Sequence, residues 1–315
     1  MHSEKQYIDL YRECREQICA HSAAPLNAVR DAAFEQFERQ GFPSRKVERY
    51  KYTSVDELFA PDYGVNVNRL EIPVDPYKAF RCDVPNLSTS LYFIVNDQFR
   101  AALQPKENLP EGVVVDSLAA YAQANPQFVA DHYAQLAHAD EDGITALNTM
   151  LAQDGLLVYV KRGVKVDRTI QVINILRSDV PLMVNRRVLI VMEEGAEAKL
   201  LFCDHAADDR EFLATQVIEA YVGRNAALDL YCMEETHYKN TRVSNVYIEQ
   251  QADSRVNHNV ITLHNGTTRN RLDVLLKGEG AECWCNGCVI ADKAQHIDNN
   301  TLIDHQVPHC TSHEL

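Results

Sequence analysis

The chain has 315 residues, 46% of them hydrophobic and 24% charged, the composition of a globular protein long enough for two structural regions. Its net charge of −14 repels phosphate backbones and anionic lipid, so neither nucleic acid nor a membrane surface is an expected partner. No run approaches the roughly 18 to 20 apolar residues of a bilayer span, and the charged N-terminus is not a secretory leader, so a cytoplasmic location with nine reduced cysteines is expected.

Residues 4–20 place Tyr7, Leu10, Tyr11, Cys14 and Ile18 at spacings of three and four, which predicts a helix with one apolar face. A second helix runs from Pro25 to Gly41 on Leu26, Val29, Ala33, Phe34 and Phe37. The basic stretch "RKVERYKY" (45–52) reads as a solvated loop or helix end, and "SVDELF" adds a turn of helix. Within a proline-rich stretch to about 115, "SLYFIVNDQFRAAL" predicts a hairpin turning at Asn96-Asp97. Helical patterning returns from Asp116 to about Gln153.

After Gly155 the period changes to two, and eleven short strands follow, from "LLVYV" to "NTLIDH". The boundary is placed near 150, dividing a helical or mixed region (1–150) from a β region (151–315). A small residue opening a strand recurs at Ala196, Ala226, Ala252 and Ala281, in steps of 30, 26 and 29 residues. A repeat of that length in short strands predicts a β-solenoid, with a jelly roll or sandwich as the alternative. A solenoid must cover its ends, so a helical segment is expected to cap its start.

The sequence contains no G-x-x-x-x-G-K-[ST] phosphate loop, no dinucleotide fingerprint, no G-x-S-x-G elbow and no H-E-x-x-H pair. Residues 278–310 do gather Cys283, Cys285, Cys288, Cys310, His296, His305 and His309. Cys285 and Cys288 have the C-x-x-C spacing of a zinc knuckle, but an unbroken strand would point them to opposite faces, with Cys283 and Cys285 sharing one. His305 and His309 would share a face were Pro308 not between them, and His309 and Cys310 would face opposite sides. His305, His309 and Cys310 are therefore the leading metal candidates and Cys285 and Cys288 lesser ones. The competing reading makes the thiols core residues and the imidazoles hydrogen-bonded side chains. Cys14, Cys19, Cys82, Cys203 and Cys232 read as packing residues.

Three stretches carry a family resemblance. "GFPSRKVERYKYTSVDELF" (41–59), "ALNTMLAQDGLLVYVKRGVKVDRTIQVIN" (146–174) and "GEGAECWCNGCVIADKAQHIDNNTLIDHQVPHCTSHEL" (278–315) resemble the SufB/SufD family, with Tyr50 where Trp is usual. The long helical N-terminal region resembles its SufD-like branch. The resemblance implies a right-handed parallel β-helix and a non-catalytic scaffold role in iron–sulfur cluster assembly. The implied partners are SufB-like and SufC-like subunits. ATP hydrolysis then belongs to SufC, and the cluster is handled by the assembled complex rather than bound here. Family members continue into further coils, a Cys-Ser-His-Gly-Ala-Thr motif and a helical region that docks SufC, so this chain is expected to stop inside the solenoid. Its open strand edges would invite a homodimer. Two other functions follow from the pattern alone. One is a carbohydrate-active β-helix enzyme using Asp298, Asp304 and His305, and the other a zinc-stabilised solenoid.

Overall fold

The computed structural model describes residues 3–79, 89–103 and 109–315. The N-terminal region contains helices α1 (Glu4–Ala20), α2 (Ala24–Ala28), α3 (Arg30–Gln40) and α4 (Val55–Phe59), the short strand β1 (Gly64–Val65) and the helical turn α5 (Pro76–Ala79). The expected helix over 25–41 is thus two helices meeting at Val29, and it ends as predicted at Gly41, whose φ of 62° suits glycine. Strands β2 (Thr89–Val95) and β3 (Gln98–Phe99) form the expected hairpin through Asn96-Asp97. Between Val113 and Leu151 come β4 (Val113–Ser117), α6 (Leu118–Ala124), α7 (Pro126–Ala130) and α8 (Gly143–Leu151). The helical reading of 116–153 missed β4 and the irregular turns of 131–142, whose polar groups are satisfied by the sheet rather than by a helix.

The solenoid strands are β5 (Leu156–Val160), β6 (Thr169–Leu176), β7 (Leu182–Met192), β8 (Glu197–Ala206), β9 (Phe212–Val222) and β10 (Ala227–Glu235). They continue as β11 (Asn240–Gln250), β12 (Arg255–His264), β13 (Thr267–Leu276), β14 (Glu282–Val289), β15 (His296–His305) and β16 (Thr311–Glu314). Odd strands β5 to β15 stack in sheet A and even strands β6 to β16 in sheet B, every neighbouring pair parallel. A jelly roll pairs its strands antiparallel, so the solenoid reading holds.

Between the sheets run apolar rows such as Val188, Ile218, Val246 and Leu272 of sheet A and Leu200 and Leu230 of sheet B. Each such side chain, fully buried, contributes about 1.5–3 kcal/mol. Strand β10 of sheet B alternates buried and half-buried residues because its outer face meets water, whereas β6, covered by residues such as Val74 and Ala79, and β7 of sheet A are buried almost throughout. For β7 the reason is that helices cover sheet A. Leu118, Val129 and Tyr133 pack on Leu157, Leu189 and Val191; Phe37, Phe59, Ile144 and Leu147 pack on Met183, Leu213 and Val243. The expectation of a helical cap at the start of the coils is corrected accordingly. The helices lie along the side of sheet A, and the first coil is closed by β4 antiparallel to β5 and by the β2–β3 hairpin beside β6.

The coil repeat is also re-phased. The inward position just ahead of each sheet B strand is Ala196, Ala226, Ser254 and Ala281, all buried, and the half-buried Cys310, in steps of 30, 28, 27 and 29 residues. Ala252 lies two residues early, in the turn itself. Ser254 was unreadable as a core marker because its hydroxyl is satisfied locally, donating to Gln251 O at 2.6 Å. One residue earlier the backbone is left-handed in every coil, at Gly195, Asn225, Asp253, Gly280 and His309 (φ 56–76°).

Candidate functional site

The candidate metal residues of the sequence do not converge. Strand β14 is unbroken, with Cys285 buried inside and Cys288 exposed. His305 shares a hydrogen bond with Ser312 Oγ at 2.9 Å. His309 occupies the left-handed turn position that glycine, asparagine or aspartate fills in the other coils. Cys310 fills the small-residue position of its coil and donates to Gly278 O at 3.3 Å. Among the described residues no group of three His, Cys, Asp or Glu side chains is placed to hold a metal ion. Of the cysteines read as packing residues, Cys203 and Cys232 are buried, Cys14 and Cys19 half-buried, and Cys82 lies outside the described residues. Asp298 and Asp304 sit six residues apart on one strand, roughly 20 Å. Paired carboxylates that cleave glycosidic bonds stand within about 10 Å of each other, so the carbohydrate-enzyme reading loses its site.

What does converge is a pair of stretches distant in the sequence. Residues 49–53 dock on the outer face of sheet A against β13 and β15. The Arg269 guanidinium lies 3.8 Å from the Tyr50 ring centroid and donates to Arg49 O at 2.6 Å. Arg49 pairs with Asp273 at 3.3 Å, and the Thr53 hydroxyl donates to Asp298 and lies 3.0 Å from His296 Nε2. "RYKYT" therefore sits on "QHID". The reading of 45–52 as wholly solvated is corrected for Arg49 and Tyr50; Arg45, Lys46 and Lys51 are exposed as expected.

Beneath this contact Asp142 caps α8, accepting from the N–H groups of Ile144 (3.0 Å) and Thr145 (2.9 Å). The same carboxylate accepts from Tyr50 Oη and from Arg271 Nη1 at 3.1 Å. Burial, and then the Asp142 charge, push the Tyr50 phenol well above its usual range, so it stays a donor. Further along the face, the fully buried Arg187 and Glu219 pair at 2.5 Å. Glu219 also accepts from the N–H groups of Ala134, Leu136 and Ala137 at 2.9, 2.9 and 3.1 Å. One carboxylate thus replaces the helix that 131–142 does not form.

The later coils form a cavity of about 340 Å³, open at one end, lined by Cys232, Arg242, His258, Asn270, Cys285 and Glu314, among others. A buried ion chain leads to it. Arg186 donates to Asp204 at 2.6 Å, Arg242 pairs with Asp204 at 3.0 Å, and Glu234 accepts from Thr268 Oγ1. Burial raises Glu234 to about 7 although Arg242 pulls it down. Burial lowers His258 to about 4, with Arg242 adding to the effect, so the imidazole is neutral, and its Nε2 has no hydrogen-bond partner. Burial raises the Cys232 thiol to about 12.

Comparison with known proteins settles the lineage. Residues 1–172 match the SufBD protein N-terminal region, and residues 174–315 match the SUF system FeS cluster assembly SufBD core domain. The chain belongs to the SufB/SufD family. It is 23% identical over 254 residues to the iron-sulfur cluster assembly protein SufB of Bacillus subtilis (strain 168), covering 77% of this chain and 53% of that protein. It is 23% identical over 312 residues to SufD of the same strain, covering 96% of this chain and 68% of that protein. Protein ABCI7, chloroplastic, of Arabidopsis thaliana is 23% identical over 243 residues, 74% of this chain and 49% of that protein. The chain therefore spans about half the length of the SufB and ABCI7 relatives and about two thirds of SufD.

For a SufB/SufD-family chain the arrangement is one of rigid positioning. The docked signature fixes the N-terminal region to β13 and β15, and the cavity places thiols, a neutral imidazole and a guanidinium on one wall. Sequence reasoning missed Arg242, Glu234 and His258. Their signal was present as a broken alternation, because "NTRVSN" places Arg242 and Ser244 at the inward phase where earlier coils carry Val184 and Ala214 or Arg186 and Gln216.

Proposed function

We propose that this chain is a non-catalytic scaffold subunit of a SufBCD-type iron–sulfur cluster assembly complex, acting in the cytoplasm. It pairs with a SufB-like subunit and is served by a SufC-like ATPase. The observation that carries the reading is the pair of family matches laid end to end over the chain, one of them described as iron–sulfur assembly. Two relatives named for the same assembly support it. The sequence has no phosphate loop, which leaves ATP hydrolysis to the partner. A solenoid sheet can take a partner strand at an edge through its backbone donors and acceptors. A homodimer through such an edge is the competing outcome. The cluster is cargo here, assembled with residues of the partner.

Depletion of the chain in its native cell tests the role. The activity of a resident iron–sulfur enzyme should fall several-fold while its polypeptide level persists, and re-expression should restore it. Unchanged activity in depleted cells contradicts the reading.

A further inference from the structure

Cys283 and Cys285 lie one residue apart in β14, both directed between the sheets, with their sulfurs 3.3 Å apart. Eight cysteines among the described residues are free thiols, and this pair alone shows a sulfur–sulfur contact. Cys283 is fully buried, whereas Cys285 lines the interior cavity, whose mouth includes the exposed Val289 and Leu315. Of the two cysteines, only Cys285 belongs to the cavity wall.

We propose that Cys283 and Cys285 form a reversible dithiol–disulfide pair, oxidised by a small hydroperoxide entering through the interior cavity. The Cys285 thiolate attacks the peroxide oxygen, breaking the O–O bond, and an alcohol or water leaves with a proton from solvent. Cys285 is then a sulfenic acid. The Cys283 sulfur displaces its hydroxyl, the S–S bond forms, and water departs with the Cys283 proton. Two thiols together lose two electrons and two protons, and the peroxide gains them.

Three observations support this assignment of roles. The two thiols share one S–H···S contact at 3.3 Å and Cys285 is the partner on the cavity wall, so its sulfur is the one placed to meet an entering peroxide and Cys283 the one placed to resolve it. The 3.3 Å separation already suits closure to a bond of about 2.05 Å, whereas a metal held linearly between two thiolates would drive them further apart. Residues two apart on a strand have Cα atoms roughly 6.6 Å apart. That is near the upper end of the roughly 4.4–6.8 Å that a disulfide spans, so the bond forms under strain and is readily reduced. The strain falls on β14, which pairs with β12 and β16 on its two sides.

The chain carries its own reporter. Its single tryptophan, Trp284, lies between the two cysteines and stacks on His313 at 5.5 Å. The full chain, reduced anaerobically and then treated with hydrogen peroxide, should lose both thiols to alkylation and change its tryptophan emission. Fragmentation of the peptide should place the bond between Cys283 and Cys285, and dithiothreitol should restore thiols and emission. Cys288→Ser should behave as wild type. Cys285→Ser should lose the emission change, and Cys283→Ser should leave a sulfenic acid on Cys285 that a dimedone-type reagent captures. Two results overturn the proposal in the wild-type protein itself: a bond mapped to Cys288, or Cys283 and Cys285 both still alkylatable once Cys288 is oxidised.

Discussion

Glu219 accepts three backbone N–H groups and neutralises Arg187, all out of contact with water. Glu219→Ala would strand a buried guanidinium and unsatisfied amides together, so urea unfolding should show a loss of about 3–5 kcal/mol. Two groups of the buried ion chain and cavity give opposite contributions to the response to pH. Glu234 titrates near 7 when folded and near 4.3 when unfolded, so the folded chain holds the extra proton between those values. Its contribution is complete below about 4.3 and is lost as pH rises through 7, on the order of 3 kcal/mol. His258 runs the other way. Lowered to about 4 from about 6.5, it contributes fully above 6.5 and loses that contribution as pH falls through 4. Glu234→Gln keeps an acceptor for Thr268 and removes the first slope. Its stability should rise from about pH 4 to 6.5, where in wild type the two opposite slopes largely cancel; a variant as flat as wild type over that window would contradict the assignment to Glu234.

At the scale of the element, the turn ladder explains why His309 is where it is. With φ of 60° it substitutes for the glycine or asparagine of other coils. His309→Gly should be neutral or stabilising in thermal unfolding, while His309→Val should cost about 1–2 kcal/mol, because a branched side chain resists the left-handed region. Gly278→Ala should do more damage, since a Cβ there would lie 1.9 Å from Ala252 N. The same ladder shows what the sequence makes legible. All eleven expected strands form, because alternation and unbroken apolar runs report burial directly. The repeat phase slipped at Ala252 because a buried serine satisfied by Gln250 and Gln251 looks polar. β4 and β16 were missed because each is short and lies beside turn-rich sequence. The site was legible only in halves. "RYKYT" and "QHID" are separately visible, but their contact spans more than 240 residues and nothing local encodes it. The cavity residues were hidden because buried ion chains read as ordinary polar strand residues.

At the scale of the molecule, the helices and the coils form one unit because the N-terminal signature locks onto the last strands of sheet A. Thr53→Val removes the donor to Asp298 and leaves that carboxylate half-satisfied beside Arg269. Amide exchange across 45–59 should accelerate at least tenfold while the exchange of β7 and β9 is unchanged, since those strands are held by α8 and by Glu219. On the function proposed above, such a locked unit is what holds the solenoid in one geometry against its partners. Native mass spectrometry of the chain co-expressed with the SufB-like and SufC-like proteins of its own organism tests that claim most directly. The account predicts a stable assembly containing all three polypeptides, and recovery of the 35.7 kDa chain only alone or as a homodimer would contradict it.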